Sequence, residues 1–309
     1  MAFEEYVRSE IVEECAQGFL SRREALRRLM LLGVGATAAG LMLAGCGDDD
    51  ESAGGDATST TAGSAATSST TAGGGGTPVG PAPLATEAVT FPGPAGQLRG
   101  SWSAAPQRKG AVLIVHENRG LTAHFVTLPG RLAASGYSAL AVDLLSRQGG
   151  TGAFADQAQA TAALTGTPMP DLVADLRAGL DELLRRVPGH KAGVMGFCFG
   201  GGMVWQLLAA GEDRLAAAVP FYGPLPNPHD FSRAKAAVLA IYGERDAPRV
   251  NDGIEPARAA LVAAKLPHEI VVEPGADHAF FNETGPRFNA TAAADAHARL
   301  LAWFGKYLS

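Results

Sequence analysis

Gly196-Phe197-Cys198-Phe199-Gly200-Gly201 places a thiol between glycines where a short apolar run, Ala192 to Met195, gives way to a helical stretch, Gly200 to Ala210. A nucleophile on a strand-to-helix turn of this kind sits in strained backbone, and close packing at the turn leaves no room for side chains beside it. The Phe199 amide, at the start of the helix, is a candidate oxyanion donor, and the helix dipole favours a thiolate. Asp246, in Tyr242-Gly-Glu-Arg-Asp246, and His278, in Gly275-Ala-Asp-His278-Ala-Phe280, each follow an extended run. A histidine oriented by a carboxylate can take the proton of a thiol, so the chemistry expected of Cys198, Asp246 and His278 is acyl transfer through a thioester. Asp277 competes for the acid role, but Gly243 and Pro248 bracket Asp246 as a post-strand loop. The remaining histidines His124, His190, His229, His268 and His297 read as surface or loop residues. No His, Cys or carboxylate cluster has ligand spacing, so neither a metal nor another cofactor is expected.

The elements that must position these residues alternate. Ala88 to Phe91 and Gln97 to Ser103 read as an antiparallel edge hairpin around Pro92-Gly93-Pro94. Ala111 to Val115 is a continuous apolar run, as expected of a strand buried on both faces. Thr122 can cap a helix to about Ser135, with a kink or early break expected at Pro129. Tyr137 to Leu144 reads as strand. A long amphipathic helix from Pro170-Asp171 stops before Pro188-Gly189, with Leu172, Leu176, Leu180 and Leu183 on one face. Strands follow at Leu215 to Phe221, Ala237 to Tyr242 and His268 to Val272. Helices are expected over Pro256 to Lys265 and Thr291 to Tyr307. The alternation implies a mostly parallel sheet flanked by helices, an α/β domain over residues 84–309, with Asp246 and His278 at the carboxyl ends of strands, where such sheets place their sites.

The N-terminal residues read differently. Ser21 to Arg28 is charged, and Leu29 to Gly45 has no charge and is rich in Gly and Ala. The run falls slightly short of the about 20 residues that span a bilayer, and this order of charged, apolar and small residues marks residues 1–45 as an export signal. Arg22-Arg23 resembles a twin-arginine signal, and Leu43-Ala44-Gly45-Cys46 resembles a bacterial lipobox, which would make Cys46 the lipidated first residue of the mature chain. The alternative is an uncleaved anchor helix. Residues 46–83, rich in Ala, Gly, Ser and Thr, are expected to be a disordered linker reaching about 35 Å. The protein is therefore expected at the outer face of a cell membrane or secreted.

Composition fits a globular enzyme: 309 residues, 47% hydrophobic, 18% charged. A net charge of −6 without clustered Lys and Arg argues against a nucleic-acid partner. The 3 cysteines are too few and too scattered for a disulfide framework. With Cys15 lost in the signal and Cys46 lipidated, Cys198 is left as the free thiol of the mature chain. A monomer acting on a small molecule is expected.

Across residues 84–309 the chain resembles the dienelactone hydrolase family of α/β-hydrolases. The matching pieces are Val115-His-Glu-Asn-Arg-Gly120, Val142-Asp-Leu144 with Arg147-Gln148, the Cys198 elbow, Gly243-Glu-Arg-Asp246 and Gly275-Ala-Asp-His-Ala-Phe280. The resemblance implies an α/β-hydrolase fold and a Cys198, Asp246, His278 triad acting on esters or lactones, as in carboxymethylenebutenolidases. It aligns Glu117 with a glutamate that hydrogen-bonds the resting cysteine, the Asn118 amide with the second oxyanion donor, and Arg147 with an arginine that binds the substrate carboxylate. A second arginine is expected four residues after the histidine. Asn282 stands there, which favours a less anionic ester or lactone. Two other functions stay open: a glutaminase-type amidotransferase, disfavoured because Phe280 stands where a glutamate is expected, and a non-catalytic surface lipoprotein that binds a ligand in the cleft.

Overall fold

The computed structural model describes residues 3–46 and 79–309, so most of the expected linker lies outside the described residues. Three helices come first, α1 (Phe3–Ala16), α2 (Arg22–Leu31) and α3 (Ala36–Met42). The hairpin β1 (Glu87–Gly93) and β2 (Gly96–Ser103) opens the sheet, followed by β3 (Gly110–Val115), α4 (Ala123–Ala134) and β4 (Tyr137–Asp143). Then come α5 (Gln157–Thr165), α6 (Met169–Arg186), β5 (Ala192–Phe197), α7 (Phe199–Ala209), β6 (Leu215–Phe221) and β7 (Ala237–Gly243). The chain ends with α8 (Pro248–Asn251), α9 (Ile254–Ala263), β8 (His268–Glu273) and α10 (Ala290–Tyr307).

The sheet has 8 strands in the order β1-β2-β4-β3-β5-β6-β7-β8. β1, β2 and β4 pair antiparallel, and every other neighbouring pair is parallel. This is the expected α/β-hydrolase fold. Every residue of β3, β4, β5 and β7 is buried, which is why these strands read as unbroken apolar runs rather than alternating ones. In α6 the leucines at 172, 176, 180 and 183 are buried. Gly179 lets that helix sit tightly on the sheet, since a Cβ there would lie 2.6 Å from Val142 Cγ2.

Two local expectations fail in α4. The helix runs through Pro129 to Ala134. A proline inside a helix has no amide for the carbonyl four residues earlier, yet the helix continues, with Phe125, Leu128, Pro129 and Leu132 buried against the domain. Thr122 occupies the cap position with no side-chain cap bond. At the N-terminus the described residues 3–46 hold the three helices α1, α2 and α3, which pack on the domain. Tyr6, Val7, Ala25 and Leu29 are fully buried, as is Cys46 to 7% exposure. The apolar run from Leu29 is broken by Gly33, at φ 76°, and by Gly35 at the start of α3. No helix among the described residues is long and apolar enough to cross a membrane.

His124, expected at the surface, is buried. Its Nδ1 lies 3.2 Å from Glu283, which also accepts from Arg131 and is itself buried. This cluster ties α4 to the loop that follows His278. Burial pushes the Glu283 carboxyl up, but His124 and Arg131 outweigh it and hold it at about 2. A depressed carboxylate contributes stability that is fully present above its unfolded pKa, about 4.5, and is lost as pH falls through the folded value. The midpoint of thermal unfolding should therefore fall between pH 4.5 and 2, and in Glu283→Gln that part of the acid slope should flatten; an unchanged slope in a folded variant refutes the assignment. At the elbow, a Cβ on Gly200 would lie 2.3 Å from the Val115 carbonyl oxygen and 2.6 Å from that of His116. Gly200→Ala should lower Tm by about 3–10 °C, as read by circular dichroism, and a Tm equal to wild type would contradict the close approach.

Candidate active site

Cys198 sits at the turn from β5 into α7 with φ 55° and ψ −118°. That backbone state is costly for a residue with a Cβ and persists only where surrounding structure enforces it. The enforcement is visible. A Cβ on Gly196 would lie 2.2 Å from the Gly200 carbonyl oxygen, and one on Gly201 would lie 2.4 Å from that of Phe221. The Cys198 amide donates to the Phe221 carbonyl at 3.1 Å. The thiol is thereby fixed at the carboxyl end of the parallel strands.

Asp246 and His278 arrive from the loops after β7 and β8. His278 Nδ1 lies 2.8 Å from Asp246 Oδ2, and both side chains are buried. Asp246, rather than Asp277, thus orients the imidazole and leaves Nε2 facing the thiol. The Asp246 loop is itself pinned, because Asp246 Oδ1 accepts from the Ala247 amide at 2.7 Å and the Asn251 side chain donates to the carbonyls of Gly243 and Asp246. Gly243 is needed at this crossing, since a Cβ would meet the Ala276 carbonyl oxygen at 2.6 Å. Asn251 is a positioning residue that no motif marked.

The loop after β3 carries Glu117 and Asn118, and His116 holds it in place. His116 Nε2 accepts from the Leu144 amide at 3.1 Å, so Nδ1 carries the proton and donates to the Glu117 carbonyl at 2.6 Å. Burial keeps this imidazole below its ordinary pKa and hence neutral, as that bonding pattern requires. Glu117 does not make the expected bond to the cysteine. Its Oε2 accepts from Asn282 at 3.1 Å, while its buried Oε1 has no hydrogen-bond partner among the described residues.

The carboxylate that meets the thiol is Glu10, from α1. Glu10 Oε1 lies 3.7 Å from Cys198 Sγ and 3.8 Å from His278 Nε2, and Glu10 Oε2 accepts from Asn118 Nδ2 at 2.8 Å. One helical turn earlier, Tyr6 Oη lies 3.2 Å from both Cys198 Sγ and His278 Nε2. The four-residue spacing of Tyr6, Glu10 and Glu14 puts them on one face of α1. That spacing was legible in the sequence; its partner surface, almost two hundred residues away, was not. Glu10, Cys198 and His278 have donor atoms within 4.8 Å of one another, so among the described residues this trio could hold a metal ion.

Burial pushes the Cys198 thiol above its usual range, and Glu10 adds to that. Burial alone would pull His278 down, but Asp246 and the cysteine sulfur outweigh it and hold the imidazole well above its ordinary value. Glu10 is raised, chiefly by burial. A cavity of about 240 Å³ opens beside these groups, lined among others by Glu117, Asn118, Arg119, Asn282 and Arg287. Arg147 is not part of that lining. Its guanidinium is engaged by Asp175 through two bonds, at 2.7 and 2.9 Å, so the expected substrate ligand is committed to a structural ion pair. Phe199 occupies the first position of α7, directly after the thiol.

Residues 99–308 match the model of the family described as "Dienelactone hydrolase family". The chain is 34% identical over 208 residues to the Escherichia coli K12 protein named "Putative carboxymethylenebutenolidase", covering 63% of this chain and 76% of that one. A Salmonella typhimurium protein of the same name is likewise 34% identical, over 63% of this chain and 77% of its own. Among solved structures, that of a Klebsiella pneumoniae protein titled "Putative Dienelactone Hydrolase" superposes with a TM-score of 0.64 at 30% identity, over 72% of this chain and 99% of that one. The dienelactone hydrolase from Anabaena variabilis has the same fold, with a TM-score of 0.56 at 21% identity, over 73% of this chain and 99% of its own. On the match spanning residues 99–308, this chain belongs to the dienelactone hydrolase family.

Proposed function

We propose that this family hydrolase cleaves ester or lactone bonds of small molecules through a Cys198, Asp246, His278 triad. The observation that carries the reading is the buried His278 Nδ1 to Asp246 contact of 2.8 Å, with the opposite ring nitrogen turned to a thiol on a strained elbow. Asp246 fixes the tautomer and supports the imidazolium that forms when His278 takes the thiol proton. The Cys198 thiolate attacks the substrate carbonyl. The amides of Phe199 and Asn118 are suited to stabilise the oxyanion, and the collapsing intermediate expels an alcohol protonated by His278. Water, deprotonated by the same imidazole, then attacks the thioester and releases the acid, returning the proton to the thiol. A thioester is more reactive towards water than an ester, whereas thiolate attack on an amide is less favourable, so activated esters and lactones fit better than peptides. The fully buried Phe280 leaves no carboxylate two residues after the histidine, which disfavours an amidotransferase.

Arg147 has no part in this mechanism, given its pairing with Asp175. Arg28, Arg119 and Arg287 are instead the cations beside the cavity. The Arg22-Arg23 pair and Cys46 support a companion proposal that the enzyme is exported and tethered by a lipid on Cys46.

On p-nitrophenyl acetate and on simple lactones, Cys198→Ala should lose at least about a thousandfold in kcat/KM, and Asp246→Asn about a hundredfold to ten-thousandfold. Mass spectrometry of the quenched wild-type reaction should find the acyl group on Cys198. Turnover in Cys198→Ala equal to that of wild type would sink the proposal.

A further inference from the structure

The rim of the site carries three arginines from three separate segments: Arg119 after β3, Arg249 in α8 and Arg287 in the loop after His278. Their ion-pair and hydrogen-bond partners lie in the N-terminal segment. Arg119 donates to Glu14 at 3.1 Å, Arg249 pairs with Glu13, and Arg287 donates to Gln17 at 2.9 Å while standing 4.0 Å from Glu14. Two of the arginines also lie against its rings, Arg249 5.4 Å from the Tyr6 centroid and Arg287 4.7 Å from that of Phe19. Arg249 and the Arg287 side chain are largely buried by this segment and its surroundings. Charge complementarity therefore extends over the whole mouth of the site, and it is directed at a helix with acids at positions 10, 13 and 14.

We propose that the mouth of the active site is a receptor for an acidic helix, and that α1 is its resident ligand, competing with substrate for Cys198. Tyr6 is fully buried, and its hydroxyl stands within hydrogen-bond distance of both reacting atoms, in the space a substrate carbonyl must enter. Glu10 takes up the Asn118 side chain and sets a carboxylate beside the thiol, which disfavours the thiolate that nucleophilic attack requires. A helix seated in this way excludes substrate and holds the nucleophile as a neutral thiol. If Cys46 is the first residue of the mature chain, processing removes α1 and the inhibition with it. The proposal rests on the reading of Cys198 as the nucleophile, and it extends that reading to the ligand the open site recognises.

The test uses the full chain and two readouts: the rate at which iodoacetamide alkylates Cys198, mapped by mass spectrometry so that Cys15 and Cys46 are counted separately, and kcat/KM on p-nitrophenyl acetate. Glu13→Arg sets a cation against Arg249 and should raise both about tenfold or more, as expected for truncating a buried charge pair. Tyr6→Ala should do the same by opening the space at the thiol. A synthetic peptide of residues 1–20 added to Glu13→Arg should restore slow alkylation, whereas a scrambled peptide should not. Equal alkylation rates in wild type and in both variants, each shown to be folded by circular dichroism, would overturn the proposal. So would faster alkylation with lower turnover in Tyr6→Ala, which would place the phenol in catalysis instead. Faster alkylation without any turnover would leave the helix receptor standing and remove the esterase reading, so the two failures are distinguishable.

Discussion

The site depends on one close approach of backbone to backbone. The first turn of α7 lies against the carboxyl ends of β3 and β6 so tightly that Gly200 and Gly201 would place any Cβ 2.3–2.4 Å from the carbonyl oxygens of Val115 and Phe221. That contact holds Cys198 at φ 55° and keeps its amide on Phe221. It also sets the Cys198 thiol beside the loop that begins at His116 and ahead of the strand ends that deliver Asp246 and His278. Strain of this sort is stable only because many buried groups would have to move together to release it. The all-buried strands β3 and β5 supply that rigidity. The chemistry is carried by loops, but the geometry is set by the interior of the sheet.

Around that fixed point the electrostatics are arranged in layers. The innermost is the buried pair of Asp246 and His278, which keeps a proton available on the imidazole. The next is His116, neutral and bonded at both nitrogens, whose task is to hold the β3 loop against β4 rather than to titrate. The outermost is the arginine rim. Buried or half-buried guanidinium groups without acidic partners are costly, and here the acids come from α1. Removing α1 would leave Arg119, Arg249 and Arg287 facing the cavity, so the surface that binds the helix is also one that favours anions. An open site with that rim would be more cationic than the isolated Asn282 substitution suggests.

Much of this was legible in the residues. The apolar runs of β3 and β5, the glycines at the elbow and the chain order of Cys198, Asp246 and His278 each follow from a local physical requirement, and each is where it was expected. The expectations that failed concern side chains whose partners are distant in sequence. Arg147 carries no mark that Asp175, on the facing turn of α6, will claim it. Glu117 carries none that Asn282 will hold its carboxylate, and His124 none that Glu283 will bury it. Pro129 is a related case: local rules predict a broken helix, but packing of α4 against β4 retains it.

In the N-terminal segment a strong local signal stands beside a second one. Charged, apolar and small residues in order read as a leader, a pattern that lies in Arg22 onward and not in residues 3–20. Yet Tyr6, Glu10 and Glu14 at four-residue spacing, with Val7 and Ile11 buried beside them, put two carboxylates among the residues that α1 buries. Of the five glutamates of α1, Glu10, Glu13 and Glu14 face the domain or α2 and need cations, and α1 itself holds only Arg8, which is taken by Glu4 and the Leu32 carbonyl. The cations it lacks are those that the domain has in excess at its mouth. An accessible thiol is open to oxidation, and its reactivity follows its thiolate fraction. A helix that buries Cys198 to 2% exposure and surrounds it with a phenol and a carboxylate lowers that fraction and shields the sulfur at once. The contacts by which α1 covers the thiol are thus also the ones that shield it.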